Sequence, residues 1–267
     1  MELKNSHVVI TGGSQGIGEA LAERFVQSGS RVLVVARNEA KLEALAQRIG
    51  ADYLVADLTD ASQVDALLDR SKEKLGHIDV LVNNAGIETA GALNQTSREA
   101  LRQVARLNFE APLILTRDFL SHMLERDSGH IVQISSLAGV IPFVGQAAYA
   151  GSKAAVTNFS ESVRLELADT PIGLTIIAPG PTNTDMWSRI DSHANGFMAP
   201  TIKRFRQMMF LPTMSTDKVA TATLRAVEKN KRFVRIPYRY GLYHMLNNAP
   251  RRMIEMSLLG VKLDPRA

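Results

Sequence analysis

The chain has 267 residues, of which 45% are apolar and 22% charged, and its formal net charge is +4. That balance is ordinary for a globular protein, and an α/β fold can hold this length around one core. The absence of cysteine excludes disulfides and thiol catalysis and leaves the redox compartment open. No apolar run approaches the ~20 residues of a membrane span. No long apolar stretch precedes Val8 either, so export by a signal peptide is not expected and the reading is cytoplasmic. Six histidines are scattered without close pairs, which gives no metal constellation. The charge is uneven: residues 231–267 carry a net +6 and the rest a net −2. A basic excess confined to a tail, with no binding motif, does not suggest a nucleic-acid partner.

Along the chain, short β-rich runs alternate with segments of helical period. Strands are expected at His7–Thr11, Arg31–Ala36, Asp52–Ala56, Val80–Asn83, His130–Ile134, Leu174–Ala178 and Phe233–Ile236. Helices are expected at Gly16–Gln27, Glu39–Ile49, Ala61–Leu75, Arg98–Arg126 (with room for a break), Ala147–Leu167 and Thr216–Glu228. Strand–helix alternation with near-continuous apolar strands argues a parallel sheet covered on both faces. Residues 182–215 break that rhythm and read as an insertion or lid. There is no internal repeat.

The first strand ends in Thr11-Gly12-Gly13-Ser14-Gln15-Gly16-Ile17-Gly18, and an amphipathic helix follows. Glycines there let the backbone turn tightly and approach a pyrophosphate, whose charge a helix N-terminus favours. A ligand-free glycine turn is the alternative. Further on, Tyr149 and Lys153 stand one helical turn apart in Y-A-G-S-K, thirteen residues after Ser136. Positions i and i+4 share a helix face, so both side chains can address one pocket. A free tyrosine, with a pKa of about 10, moves protons poorly at neutral pH, and a fixed positive charge nearby would favour the phenolate.

Taken together, the segments resemble the short-chain dehydrogenase/reductase family in its compact single-domain branch. The match is ordered: T-G-G-S-Q-G-I-G at 11–18, D-L at 57–58, N-N-A-G at 83–86, Asn108, Ser136, Y-A-G-S-K at 149–153 and P-G-P-T at 179–182. It covers about residues 5–236. The resemblance implies one Rossmann-like, doubly wound domain over residues 1–267, with a seven-stranded parallel sheet in order 3-2-1-4-5-6-7. A lid at about 183–215 and a C-terminal extension at about 237–267 complete it. It also implies hydride transfer to or from a nicotinamide.

Residue by residue, Tyr149 resembles the proton donor or acceptor at the substrate oxygen, and Ser136 its hydrogen-bonding partner. Lys153 would lower the tyrosine pKa and bind the nicotinamide ribose, and Asn108 would hold a water for a proton relay. Cofactor contacts are expected from Gly12, Ser14, Gln15, Gly16, Ile17, Gly18, Asp57, Leu58, Asn84, Ala85, Gly86, Tyr149, Lys153, Pro179 and Gly180. Either Thr182 or Thr184 would reach the nicotinamide amide. Asn84 has a structural use as well, since asparagine amides tie neighbouring strands together.

At the end of the second strand the chain reads Val34-Val35-Ala36-Arg37-Asn38. An NAD-preferring site places an acid there to grip the ribose 2′-hydroxyl. Arg37, with Ser14 and Asn38 in reach, suits a 2′-phosphate instead, so NADP(H) is favoured over NAD. The substrate class read from this is a ketone, aldehyde or alcohol. Met186, Trp187, Phe197, Met198, Phe205, Met208, Met209, Phe210 and Met214 in the lid suggest a bulky apolar or lipid-like compound, or else core filling. Leu137, Val140, Phe143 and Val144 add apolar candidates. A β-ketoacyl-carrier reductase shares every motif, and a non-catalytic nucleotide sensor shares the fold. A homodimer or homotetramer is expected from the resemblance. The tail repeats Leu242, Leu246, Met253, Met256 and Leu259 beside Arg239, Arg251, Arg252 and Lys262, with Pro250 separating two short helices. That stripe would lie on an anionic membrane surface, cover the cleft or pack on a subunit.

Overall fold

The computed structural model describes residues 1–186, 198, 200–201, 203–204, 213–237 and 256. The lid residues Trp187, Phe197, Phe205, Met208, Met209 and Phe210 lie outside the described residues, and so does the tail beyond Pro237 apart from Met256.

Seven strands form one sheet: β1 His7–Thr11, β2 Arg31–Ala36, β3 Asp52–Val55, β4 Val80–Asn83, β5 His130–Ile134, β6 Gly173–Pro179 and β7 Phe233–Ile236. Their order is β3-β2-β1-β4-β5-β6-β7 and every pairing is parallel. Both faces are covered, which is why the strands read as unbroken apolar runs rather than alternating ones. Side chains still alternate between faces. Val8, Ile10, Val32, Val34, Val80 and Val82 join one core with α1 (Gly16–Gln27), α2 (Glu39–Ile49) and α8 (Thr216–Glu228). Val9, Leu33, Val35 and Leu81 join the other. That second core is closed by α3 (Ala61–Asp65), α4 (Leu67–Leu75), α6 (Ala111–Glu125) and α7 (Ala147–Glu166).

Two helical segments differ from their expected form. Ala61–Leu75 is interrupted at Ala66 into α3 and α4. Arg98–Arg126 becomes α5 (Arg98–Ala105), a π-helical turn at Arg106–Glu110 and then α6. Pro112 supplies a cause for the second. It has no N–H to give the Asn108 carbonyl one turn back, so the regular ladder cannot pass through that point.

The chain winds outward from β1 through β2 to β3, then crosses back over β1 to build β4 to β7 in the opposite direction. That reversal opens a crevice at the carboxyl ends of β1 and β4, where open α/β sheets bind ligands. The other end of the sheet corrects the expectation that the histidines have no close pairs. Parallel pairing of β1 with β4 stacks His7 on His77 with ring centroids 4.1 Å apart, beside Asp79. Asp79 accepts from the His7 N–H at 2.9 Å and pairs with Arg126 at 3.0 Å and His77 at 3.2 Å. Rings stacked at 32° cannot both aim in-plane lone pairs at one nearby ion, so the group reads as an ion-pair cluster.

Candidate active site

One cleft of about 1310 Å³ runs across the carboxyl ends of the strands. At its centre the β1–α1 loop folds against the end of β4. Gly12 has φ +64°, and a Cβ there would lie 2.8 Å from the Ala85 Cα. A Cβ on Gly18 would lie 2.2 Å from the Gly12 carbonyl oxygen. Both positions require glycine, because backbone approaches backbone there. Asn84 fixes the junction: its amide donates to the Thr11 carbonyl at 2.9 Å and the Gly12 carbonyl at 3.1 Å. The Thr11 hydroxyl in turn accepts from the Asn84 and Ala85 N–H groups. The side chain of Asn84 thus holds the loop. Gln15 occupies the cap position of α1 without a capping hydrogen bond, and Gly16 and Ile17, which open the helix, line the cleft.

The adenosine side is built by the ends of β2 and β3. Arg37, Asn38, Ser14, Gln15, Lys41 and Leu58 line the cleft here. Arg37 is exposed and stands 3.7 Å from Asp57. Burial works against the Asp57 charge, yet hydrogen bonds from Thr59 and the Arg37 guanidinium hold its carboxyl below the usual range. Because Thr59 N–H and hydroxyl both bind one Asp57 oxygen, the carboxylate also shapes its own turn.

The chemical side joins β5 to α7. Ser135 is buried and ties the strand to the helix, with its Oγ 3.1 Å from the Lys153 carbonyl and 2.6 Å from Thr157 Oγ1. Ser136, next in the chain, faces the same cleft as Tyr149, and its Oγ accepts from the Ala138 N–H at 3.1 Å. Lys153 is 5% exposed, its Nζ donates to the Ile134 carbonyl at 2.8 Å, and it stands 5.9 Å from the Tyr149 ring centre. Burial pushes its ammonium down to about 8.

The expectation that Lys153 lowers the tyrosine does not hold in this structure. Burial, with the Glu88 carboxylate adding to it, raises the Tyr149 phenol above its ordinary value, and Ser136 alone opposes. The reason is that burial penalises both charges: the lysine loses cationic character in the same low-dielectric pocket that disfavours the phenolate.

Asn108 lies in the π-helical turn, a feature frequent at functional sites. Its Oδ1 accepts from Ile87 N–H at 2.9 Å, and its amide donates to the Ile87 carbonyl at 2.8 Å and Ser152 Oγ at 3.1 Å. A Cβ on Gly86 would meet Asn108 Oδ1 at 3.3 Å and Lys153 Nζ at 3.4 Å, so bare backbone separates the two.

Pro179, Gly180, Thr182 and Thr184 line the same cleft. Thr182 is buried and donates to Gly180, whereas Thr184 packs its methyl group across the cleft toward Gly16. Of the lid methionines, Met186 lines the cleft, Met214 belongs to the core beneath α8, and Met198 packs on Gly145. The sequence reading missed Glu88, the buried Gln146 and Lys41, all lining the cleft. None of them carries a motif signal; only the folded loops bring them in.

A nicotinamide dinucleotide fits this arrangement. The glycine cradle would hold its pyrophosphate and the β2 end its adenosine, with Lys153 and Tyr149 at the far end, whereas Asp57, expected at the adenine, is not among the residues lining the cleft. The comparisons agree with the geometry. The family model described as short chain dehydrogenase matches residues 6–195. A short chain dehydrogenase of Pseudocercospora fijiensis is 32% identical over 218 residues, 79% of this chain and 71% of that protein. A variant of actinorhodin polyketide ketoreductase, solved with NADPH, has a TM-score of 0.80 at 28% identity, covering 87% of this chain and 95% of its own. A short-chain dehydrogenase from Streptomyces avermitilis has a TM-score of 0.79 at 29% identity, covering 99% of this chain and 100% of its own. By sequence, fold and site, the chain belongs to the short-chain dehydrogenase family of nicotinamide-dependent oxidoreductases.

Proposed function

We propose that the protein is an NADP(H)-dependent reductase that interconverts a ketone or aldehyde and the corresponding alcohol, on a bulky apolar substrate. The observation that carries this is the company Tyr149 keeps. A phenol whose pKa is raised, lining one cleft with Ser136 and with Lys153 5.9 Å from its ring centre, is an acid in position to donate. The bound nicotinamide supplies or accepts the hydride. Tyr149 gives its proton to the substrate oxygen, and Ser136 donates a hydrogen bond to that oxygen as charge develops. Lys153 positions the dinucleotide ribose and, with Asn108 across Gly86, carries the replacement proton toward solvent. Leu137, Ala138 and Phe143 line the substrate side and favour an apolar compound.

NADP(H) is preferred in this reading because β2 ends in Ala36-Arg37, with no acid to meet a 2′-hydroxyl and a cation to meet a 2′-phosphate. A carrier-linked β-ketoacyl substrate is the second reading, favoured by the ketoreductase likeness. The test is turnover of NADPH and NADH against a panel of bulky ketones and carrier-linked β-ketoacyl groups, with wild type and Arg37→Ala. Losing a charged hydrogen bond to phosphate should weaken NADPH by about ten- to a hundredfold and leave NADH nearly unchanged. Equal weakening of both cofactors would remove Arg37 from the 2′ site, and turnover confined to carrier-linked groups would select the second reading. Association into a dimer or tetramer, and contact of the basic tail with an anionic membrane, stay within this proposal as its partners.

A further inference from the structure

Three cations line the adenosine end of the cleft, and their surroundings differ. Arg48 is bound by two carboxylates, Glu19 at 2.7 Å and Glu23 at 2.5 Å, so its charge is spent. Arg37 faces Asp57 at 3.7 Å. Lys41 makes no ion pair among the described residues; its Nζ donates to a neutral acceptor, Gln15 Oε1, at 2.8 Å. Gln15 belongs to the phosphate loop, and its side chain makes no capping bond to α1. The contact therefore spans the cleft from the start of α1 to the start of α2 and fixes where the ammonium stands.

The helix position of Lys41 is unusual on electrostatic grounds. Asn38 caps α2 by accepting the Lys41 N–H at 3.0 Å, which puts Lys41 in the first turn. That end of a helix carries positive partial charge, and side chains of the opposite sign are favoured there. The first turn does carry the acid Glu39, which is not among the residues lining the cleft, but the cleft side of this end is lined by Lys41 and, one residue before the cap, Arg37. The Asn38 oxygen is engaged by the Lys41 N–H, which leaves its amide group as a further donor. Such a concentration of positive potential on one lining is repulsive by itself and becomes favourable with an anion between the groups.

Resting on the NADP(H) reading above, we propose that Lys41, positioned by Gln15, is a second reader of the 2′-phosphate, so that discrimination is divided between Arg37 and Lys41. A bidentate guanidinium fixes the orientation of the phosphate, and a flexible ammonium adds a point charge from the other side.

The test measures Kd for NADPH and NADH, and competition by adenosine 2′,5′-bisphosphate and adenosine 5′-monophosphate. It uses wild type, Lys41→Met, Arg37→Ala and the double variant. Methionine keeps the apolar stem at an exposed position, and circular dichroism checks that the fold is unchanged. Lys41→Met should lose about tenfold in affinity for NADPH and the bisphosphate. It should leave NADH and the monophosphate unchanged, and Lys41→Arg should restore part of the loss. Wild type that prefers NADPH while Lys41→Met keeps the same NADPH-to-NADH ratio overturns this inference and spares the NADP(H) reading. Wild type that binds NADH as tightly as NADPH overturns both.

Discussion

Asp79 at the amino ends of the strands and Lys153 near their carboxyl ends are both buried, and they are held in opposite ways. At the amino ends, Asp79 is surrounded by donors: the His7 N–H, the Arg126 guanidinium and His77 all address its two oxygens. Burial works to raise it, and those partners more than compensate, so its carboxyl stays below the usual range. At the carboxyl ends, Lys153 is buried more deeply than Asp79, yet it donates to a neutral acceptor, the Ile134 carbonyl, and its ammonium is pushed down to about 8. A paired buried charge stabilises structure, whereas one with a neutral partner titrates near neutrality and can move protons. The contrast is one of partners, since both groups are buried.

The largest effect comes from removing the proton at the chemical end. Tyr149→Phe keeps the ring and its packing but has no proton to deliver, so kcat should fall by about 10²–10⁴-fold. NADPH affinity should survive, and unfolding by urea should be little changed. The same comparison fixes a pH dependence. Loss of the Lys153 cation removes its contribution above about 8, so kcat/KM for reduction should decline as pH rises through that value. The raised tyrosine keeps its proton over that range. A phenylalanine variant with near-normal kcat would sink the assignment, as would a reduction rate that climbs through pH 8 and 9.

The contrast between the ends also marks how far the sequence could be read. Strand positions were legible because each strand is apolar on both faces and bounded by polar turns; β3 ends one residue early and β6 gains one at each end. The order of the sheet came through the resemblance, since periodicity does not say which strands pair. The interruption at Ala66 was hidden because the apolar period continues across it. The His7–His77 stack was hidden too, being made by pairing of segments some seventy residues apart. At the site, Tyr149 and Lys153, with Ser136 upstream, were found by spacing, and Asn108 came through the resemblance. The raised tyrosine depends on partial burial in the folded cleft and on Glu88, which no local pattern carries. Lys41 reads as a solvated helix residue until Gln15 is seen across the cleft.

A smaller effect is expected at the paired end. Asp79→Asn preserves shape but removes the charge that Arg126 and His77 meet, and turns an NH₂ group toward existing donors. With the side chain 12% exposed, the loss should be about 2–3 kcal/mol of unfolding free energy. Chemical denaturation at pH 7 would measure it, while kcat at the distant cleft should hold. Stability unchanged by this substitution would show that the cluster is surface decoration and dissolve the comparison. The linkage has a defined sign: a carboxyl held low in the fold stabilises above its unfolded value of about 3.9, and that gain is lost as pH falls below it.

The smallest effect, and the sharpest test of burial without a charged partner, lies at His130. It is 2% exposed at the start of β5, with Nε2 2.8 Å from Thr175 Oγ1. The Thr175 hydroxyl donates to the Lys231 carbonyl at 2.7 Å, so the imidazole must be the donor to Thr175 and carries its proton on Nε2. Its Nδ1 lies over Gly173, where an added Cβ would come within 2.1 Å, leaving no room for a hydrated cation. Burial first, then the N-terminal ammonium and Arg164, push its pKa from 6.5 to about 3. Between those values the unfolded chain binds a proton that the folded chain refuses, so stability must fall as pH drops through this window. At pH 5 the cost is about 2 kcal/mol, from 1.4 kcal/mol per pH unit below the unfolded value. His130→Gln retains an amide donor toward Thr175 and cannot be protonated. Its unfolding free energy should therefore change less than that of wild type between pH 7 and pH 5, by about that amount. Parallel pH profiles for the two proteins would mean that His130 accepts its proton inside the fold, and that burial at this end does not set the charge.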